Sequence, residues 1–149
     1  MKGLELKCAR IVLGLSQDEA AKQIGNVSQR SWAYWESGER TIPQDVIEQM
    51  QELMNRRKSI IQQFKELSEN KAQIVVIFYE SPQDAGQTLL EMRFNNSLAA
   101  TLAVDYGANV VRYDPLDYVN WLTENGLIDS SAKRSEWAVD YYLRQNKKG

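Results

Sequence analysis

The sequence predicts a mainly helical first half of four to five helices, followed by a small α+β second half. Three observations lead there. Up to Leu67 the apolar residues recur at three- and four-residue spacing, the polar stretch "SENKAQ" (Ser68–Gln73) interrupts them, and "IVVIFY" (Ile74–Tyr79) then opens a β-branched and aromatic run typical of a buried strand. The interruption divides the 149 residues into 1–70 and 74–149.

Each element has its own signal. Leu6, Ala9, Arg10 and Leu13 share one side of a first helix over 4–13, which Gly14 ends. Ser16 and Glu19 have the spacing of a capping box, starting a second helix from Gln17 to Ile24 whose buried stripe is Ala20, Ala21 and Ile24. Gly25-Asn26 is a turn of residue types that tolerate positive φ. Ser28 is the N-cap of a third helix running to about Glu36, with Gly38 near its C′ position. Thr41 to Gln44 reads as a second capping box with Pro43 in the first turn. A long fourth helix follows over about 43–68, roughly 39 Å at 1.5 Å per residue.

In the second half, "ESPQDAGQ" reads as a loop, and "TLLEMRF" (Thr88–Phe94) alternates as a half-buried strand should. Leu98, Leu102 and Tyr106 fit a helix that Gly107 terminates. "NVVRY" (Asn109–Tyr113) is a further strand, and helices over about 116–125 and 132–145 precede the basic tail "RQNKKG", whose Lys147-Lys148 reads as disordered.

Composition narrows the function. The chain contains no histidine, so Ser-His and Cys-His nucleophile systems are excluded and the usual zinc ligand sets are incomplete. Cys8 is the sole cysteine and is expected as a small buried residue of the first helix. No stretch approaches the roughly 20 apolar residues that span a bilayer, and "MKGLELKCARIVLGL" lacks an apolar signal-peptide region; no membrane association and a cytoplasmic location are expected. Residues 1–73 hold 11 Lys/Arg and 10 Asp/Glu, and residues 74–149 hold 7 and 10, so +1 and −3 make up the net −2. Any nucleic-acid contact must then come from local placement rather than bulk charge.

The second helix, turn and third helix form a helix-turn-helix, an arrangement that sets the start of its second helix in the DNA major groove. Trp32 and Trp35, three apart, face the core. Gln29, Arg30, Ala33 and Tyr34 are thereby left outward. Arginine can donate two bonds to guanine and glutamine can pair with adenine, Tyr34 can reach a phosphate or a thymine methyl, and Gln17 at the mouth of the second helix suits a phosphate. The cluster Arg56-Arg57-Lys58 reads as a solvated face before a phosphate or RNA contact.

The stretch Leu15–Pro43, with "LSQDEAA", Gly25, "VS" at 27–28, "WE" at 35–36 and Gly38, resembles the Cro and phage-repressor (XRE) helix-turn-helix of transcription regulators. Two departures stand out. Asn26 lengthens the turn by one residue, and Trp32 stands where such motifs carry a smaller aliphatic. The resemblance implies a partly buried ion pair between Arg10 and Glu36. It also implies base-reading positions at Gln29, Arg30 and Tyr34 and backbone-contacting positions at Gln17, Ser31 and Arg40, with Ser28 at the same helix mouth. "VSQRSWAYWESGERTIPQDV", a long helix and "IVVIFY" are similar, more narrowly, to the YdiL-like proteins and anti-CRISPR-associated autoregulators of phages. The similarity is specific to about residue 79, looser to about 113, and leaves the last 35 or so residues without a counterpart.

What this implies is a non-enzymatic, dimeric repressor of double-stranded DNA, often autoregulatory, held together by residues 74–149, binding an inverted repeat and needing no cofactor or metal. RNA is a secondary partner in some relatives. The rival reading is an antitoxin-like protein-interaction module. An enzyme would have to gather Asp105, Asp114, Asp117 and Asp129, whose spacing matches no metal loop.

Overall fold

The computed structural model describes residues 1–147. Lys148 of the expected basic tail lies outside them, and Lys147 is the exposed C-cap of the last helix. The elements in order are α1 (Gly3–Val12), α2 (Gln17–Ala20), a π-helical turn (Ala21–Gly25), α3 (Gln29–Ser37), α4 (Gln44–Glu69), β1 (Val75–Phe78), α5 (Pro82–Ala85), α6 (Leu89–Tyr106), β2 (Asn109–Arg112), α7 (Pro115–Asn125) and α8 (Ser131–Asn146). Among the described residues eight α-helices, the π turn and a two-stranded sheet thus make a mostly helical fold.

Leu6, Ala9 and Leu13 of α1 pack with Ala20, Ala21, Ile24, Trp32, Trp35, Val46 and Met50 around one core. The N-terminus of α1 rests directly on the end of α3: a Cβ added at Gly3 would lie 2.4 Å from the Trp35 carbonyl oxygen, so only glycine fits. Ser16 caps α2 as a reciprocal box, accepting from the Glu19 amide at 3.0 Å while its own amide donates to Glu19 Oε1 at 3.0 Å. The extra turn residue is absorbed as the π turn. The amides of Asn26 and Val27 both reach back to the Ala21 carbonyl, and Asn26 adopts a left-handed conformation.

β1 and β2 pair in parallel, Val75 opposite Asn109 and Phe78 opposite Arg112, with α5 and α6 as the crossover. α7 and α8 complete a second core through Tyr118, Trp137 and Ala138, which pack with Tyr113. Phe94, Leu98 and Leu102 of α6 belong to the first core, so that core extends past the polar break at Ser68–Gln73.

Four expectations are corrected. "TLLEMRF" is not a strand but the capped start of α6, where the Thr88 hydroxyl accepts from the Glu91 amide at 3.2 Å. Its alternation arises because α6 is covered on two sides. Leu90, Phe94, Leu98 and Leu102 form one stripe against the first core, while Leu89 and Met92 face the second. Within "ESPQDAGQ", Ser81 and Pro82 start a single helical turn. Thr41 forms no cap, because Pro43 is itself the N-cap of α4 and has no side-chain acceptor. Cys8 is exposed, since Leu6, Ala9 and Leu13 turn the other side of α1 inward.

Candidate nucleic-acid interface

The orientation of α3 is set by one carboxylate. Glu36, with its side chain only 3% exposed, accepts from Arg10 Nε at 2.6 Å and Nη2 at 3.1 Å, from Gln17 Nε2 at 3.0 Å and from Trp32 Nε1 at 2.5 Å. Arg10 Nη1 also donates to the Leu15 carbonyl at 2.9 Å, so helices α1, α2 and α3 converge on this knot. A buried carboxylate is tolerated only when its oxygens are fully bonded. Burial pushes the Glu36 carboxyl up, but the bonds from Arg10, Gln17 and Trp32 and the Arg10 charge outweigh it and hold it below its ordinary value. Trp32, the departure from the usual small aliphatic, thus contributes a buried ring and a donor to the same network.

With Trp32 and Trp35 buried, the opposite side of α3 faces solvent. The Ser28 hydroxyl accepts the Ser31 amide at 3.2 Å and lies 3.2 Å from the Ser31 hydroxyl. Gln29 and Arg30 are exposed beside the half-buried Ser31 and Tyr34. Arg30 Nε donates to Tyr34 Oη at 2.9 Å, and the Arg40 guanidinium lies 4.4 Å above the Tyr34 ring. Gln17 is half-buried, its side-chain amide turned to Glu36.

The remaining arginines of the described residues are engaged elsewhere. Arg10, Arg56, Arg93, Arg112, Arg134 and Arg144 each pair with a carboxylate, and Arg57 donates to the Thr101 hydroxyl. Arg30 and Arg40 are exposed and form no ion pair among the described residues, and both flank the outer side of α3. These two guanidiniums are the ones left to neutralise an external anion.

Behind this surface, α6 braces the helix-turn-helix. Arg93 donates through Nε and Nη2 to Glu19 Oε2 at 3.2 and 3.1 Å, so Glu19 serves both the α2 cap and this contact. Arg56 grips Glu91 in a bidentate pair and covers the Phe94 ring at 4.3 Å. Arg56 and Arg57 therefore join α4 to α6, while Lys58 is exposed. Neither Arg93 nor Thr101 carries a sequence signal for these contacts, which lie 74 and 44 positions from their partners.

Asp114 caps α7 and accepts from Tyr141, Asp117 accepts from Trp137 and Arg144, Asp129 pairs with Arg134, and Asp105 is exposed. A groove of about 620 Å³ between α4, β1 and α6 is bordered by Glu91 and Asp129, each already tied to an arginine. Among the described residues no cluster of three or more potential metal ligands occurs, and no helix is long and apolar enough to cross a membrane.

Comparison with known proteins extends the geometry. A family model described as Aca2/YdiL-like matches residues 1–119. Over 57 residues the chain is 47% identical to the Aca2 repressor of Pectobacterium phage ZF40. That stretch is 38% of this chain and 49% of the relative, so the match spans about half the length of that curated protein.

Proposed function

The chain belongs to the Aca2/YdiL-like family, and from that premise we propose that it is a transcriptional repressor that binds double-stranded DNA as a homodimer on an inverted-repeat operator. The observation that supports the reading is that, among the arginines of the described residues, only Arg30 and Arg40 lie exposed without a carboxylate partner, one on α3 and one just after it. Gln29 and Arg30 read base edges at the start of the helix, with Tyr34 beside them. In this reading Ser28, Ser31 and Arg40 contact phosphates, and Gln17, whose side-chain amide is bound to Glu36, contributes through its backbone. Residues 1–70 are the DNA-binding unit.

Residues 74–149 supply the dimer contact in this reading. Supporting it are the exposed apolar side chains Val104, Val110, Leu116 and Val119 and the outer edge of β2, for which a second copy is a natural cover. Two heads about 34 Å apart would meet successive major grooves, and the Arg93–Glu19 brace would keep that spacing rigid.

The test is a gel-shift titration on duplexes selected from a randomised pool. Arg30→Ala is expected to cost about 1–3 kcal/mol and to relax preference at one base pair. Arg40→Ala should weaken all duplexes alike and flatten the salt slope by about one unit. Unchanged preference in the first variant, or an unchanged slope in the second, removes that residue from its role. Sedimentation of the free protein tests the dimer, which Val110→Lys is expected to weaken.

A further inference from the structure

Tyr34 is half-buried between Arg30 and Arg40, and three of its own groups meet these two residues. Its hydroxyl oxygen accepts Arg30 Nε at 2.9 Å. Its ring carries the Arg40 guanidinium at 4.4 Å, a stacking distance. Its carbonyl accepts both the Arg40 amide at 3.2 Å and the Ser37 hydroxyl at 3.2 Å, while Gly38 turns the chain in a left-handed conformation so that Arg40 comes back alongside.

These contacts leave the useful donors free. Arginine has five N–H groups, and the one taken by Tyr34 is the lateral Nε; the four on Nη1 and Nη2 form the end-on fork that matches guanine O6 and N7. A free arginine on an exposed helix surface samples many rotamers, and fixing it only at the moment of binding costs entropy. Tyr34 removes part of that cost beforehand for both arginines.

Resting on the DNA-binding reading above, we propose that Tyr34 is a positioning residue: its hydroxyl aims Arg30 at a base pair and its ring holds Arg40 over the phosphate backbone. Tyr34→Phe deletes the hydroxyl bond to Arg30 and keeps the ring, over which Arg40 lies at 4.4 Å and Arg30 at 5.7 Å, whereas Tyr34→Ala deletes both.

The experiment measures affinity, base preference and salt slope by fluorescence anisotropy, with duplexes that the wild-type chain selects from a randomised pool. Tyr34→Phe should bind the selected duplex roughly five- to tenfold more weakly, the size of one ordinary hydrogen bond. It should relax preference at the same base pair as Arg30→Ala and leave the salt slope unchanged. In Arg30→Ala/Tyr34→Phe the tyrosine change should add nothing further, the mark of two residues acting through one contact. Tyr34→Ala should additionally flatten the salt slope as Arg40→Ala does. Thermal midpoints measured alongside exclude unfolding as the cause.

Additive losses in the double variant, or intact preference at the Arg30 base pair in Tyr34→Phe, overturn the positioning role while leaving DNA binding in place. A wild-type chain that selects no duplex removes the DNA-binding reading itself, and the positioning role with it.

Discussion

In the Arg10–Glu36 knot of the first half the carboxylate is the interior partner and an arginine covers it; in the Arg134–Asp129 knot of the second half the arginine is interior and its carboxylate sits at the surface. Glu36 is 3% exposed against 11% for Arg10, whereas Arg134 is 15% exposed and Asp129 is 50% exposed. Arg134 donates to both Asp129 oxygens at 3.0 and 3.1 Å, to Tyr79 Oη at 3.0 Å and to the carbonyls of Asp84 and Ala85. It lies 5.0 to 5.6 Å from the rings of Tyr79, Tyr113 and Tyr118. Both knots join separate helices, but they differ in what is stranded when one member is lost. Water can reach Asp129. It barely reaches Glu36, so the first knot is the less forgiving one, and it is the one on which α1, α2 and α3 converge.

Variants that strand a charge should expose that asymmetry most strongly. Arg10→Ala leaves a buried carboxylate without its cation and is expected to cost about 3–5 kcal/mol by denaturant unfolding. Arg134→Ala leaves polar groups that solvent can partly recover, and about 2 kcal/mol is expected. Equal losses would show that exposure of the carboxylate does not govern the two knots. Next in size, Gly3→Ala presses a methyl group against the Trp35 and Glu36 carbonyls. The shift of α1 needed to relieve it should cost about 1–3 kcal/mol and increase hydrogen exchange in α1 and α3 before α7 and α8. Smaller again is Ser16→Ala, which removes the hydroxyl half of the reciprocal cap with an expected cost of about 1 kcal/mol. Thr88→Ala, which breaks a one-way cap on α6, should cost less.

Titration divides the halves more finely. Glu36 is held low as described, and Asp129 is held low by its bonds from Arg134, against burial, with help from Tyr118. A lowered carboxyl contributes stability that is complete above its unfolded value and lost as pH falls through its folded one. Acid should therefore loosen both knots. Tyr118 runs the other way: burial and its bond to Asp129 push the phenol up to about 12 from an ordinary 10.0. Its contribution is complete below pH 10 and is lost as pH rises toward 12. Hydrogen exchange measured across that alkaline interval should increase around α7 and α8 before α1 to α3; simultaneous loss would contradict the assignment.

The two halves also differed in how much could be read from sequence. In the head, the signals are local. Ser16 with Glu19, Ser28, and Gly38 specify helix ends through contacts within three or four residues, and Trp32 with Trp35 specify a buried side three apart. Such features survive in a one-dimensional reading because the physics that makes them acts over one helical turn. In the second half the same reading turned the start of α6 into a strand. Leu90, Met92 and Phe94 alternate there because two cores claim the helix from different sides, a circumstance that no window of seven residues contains.

The sequence by itself determined the helix-turn-helix, its caps, the long fourth helix, the sites of both strands, and the outward presentation of Gln29 and Arg30. It also ruled out histidine chemistry by composition. Tertiary structure alone decided that Arg93 braces Glu19, that Arg56 and Arg57 are spent on α6, and that Arg134 is enclosed by tyrosines. It also decided that Arg40 folds back over Tyr34. Short-range hydrogen bonds and periodic burial are written along the chain. Which of several equivalent arginines stays free for a partner depends on the carboxylates that folding happens to bring within reach, and distance in space is what the sequence does not carry.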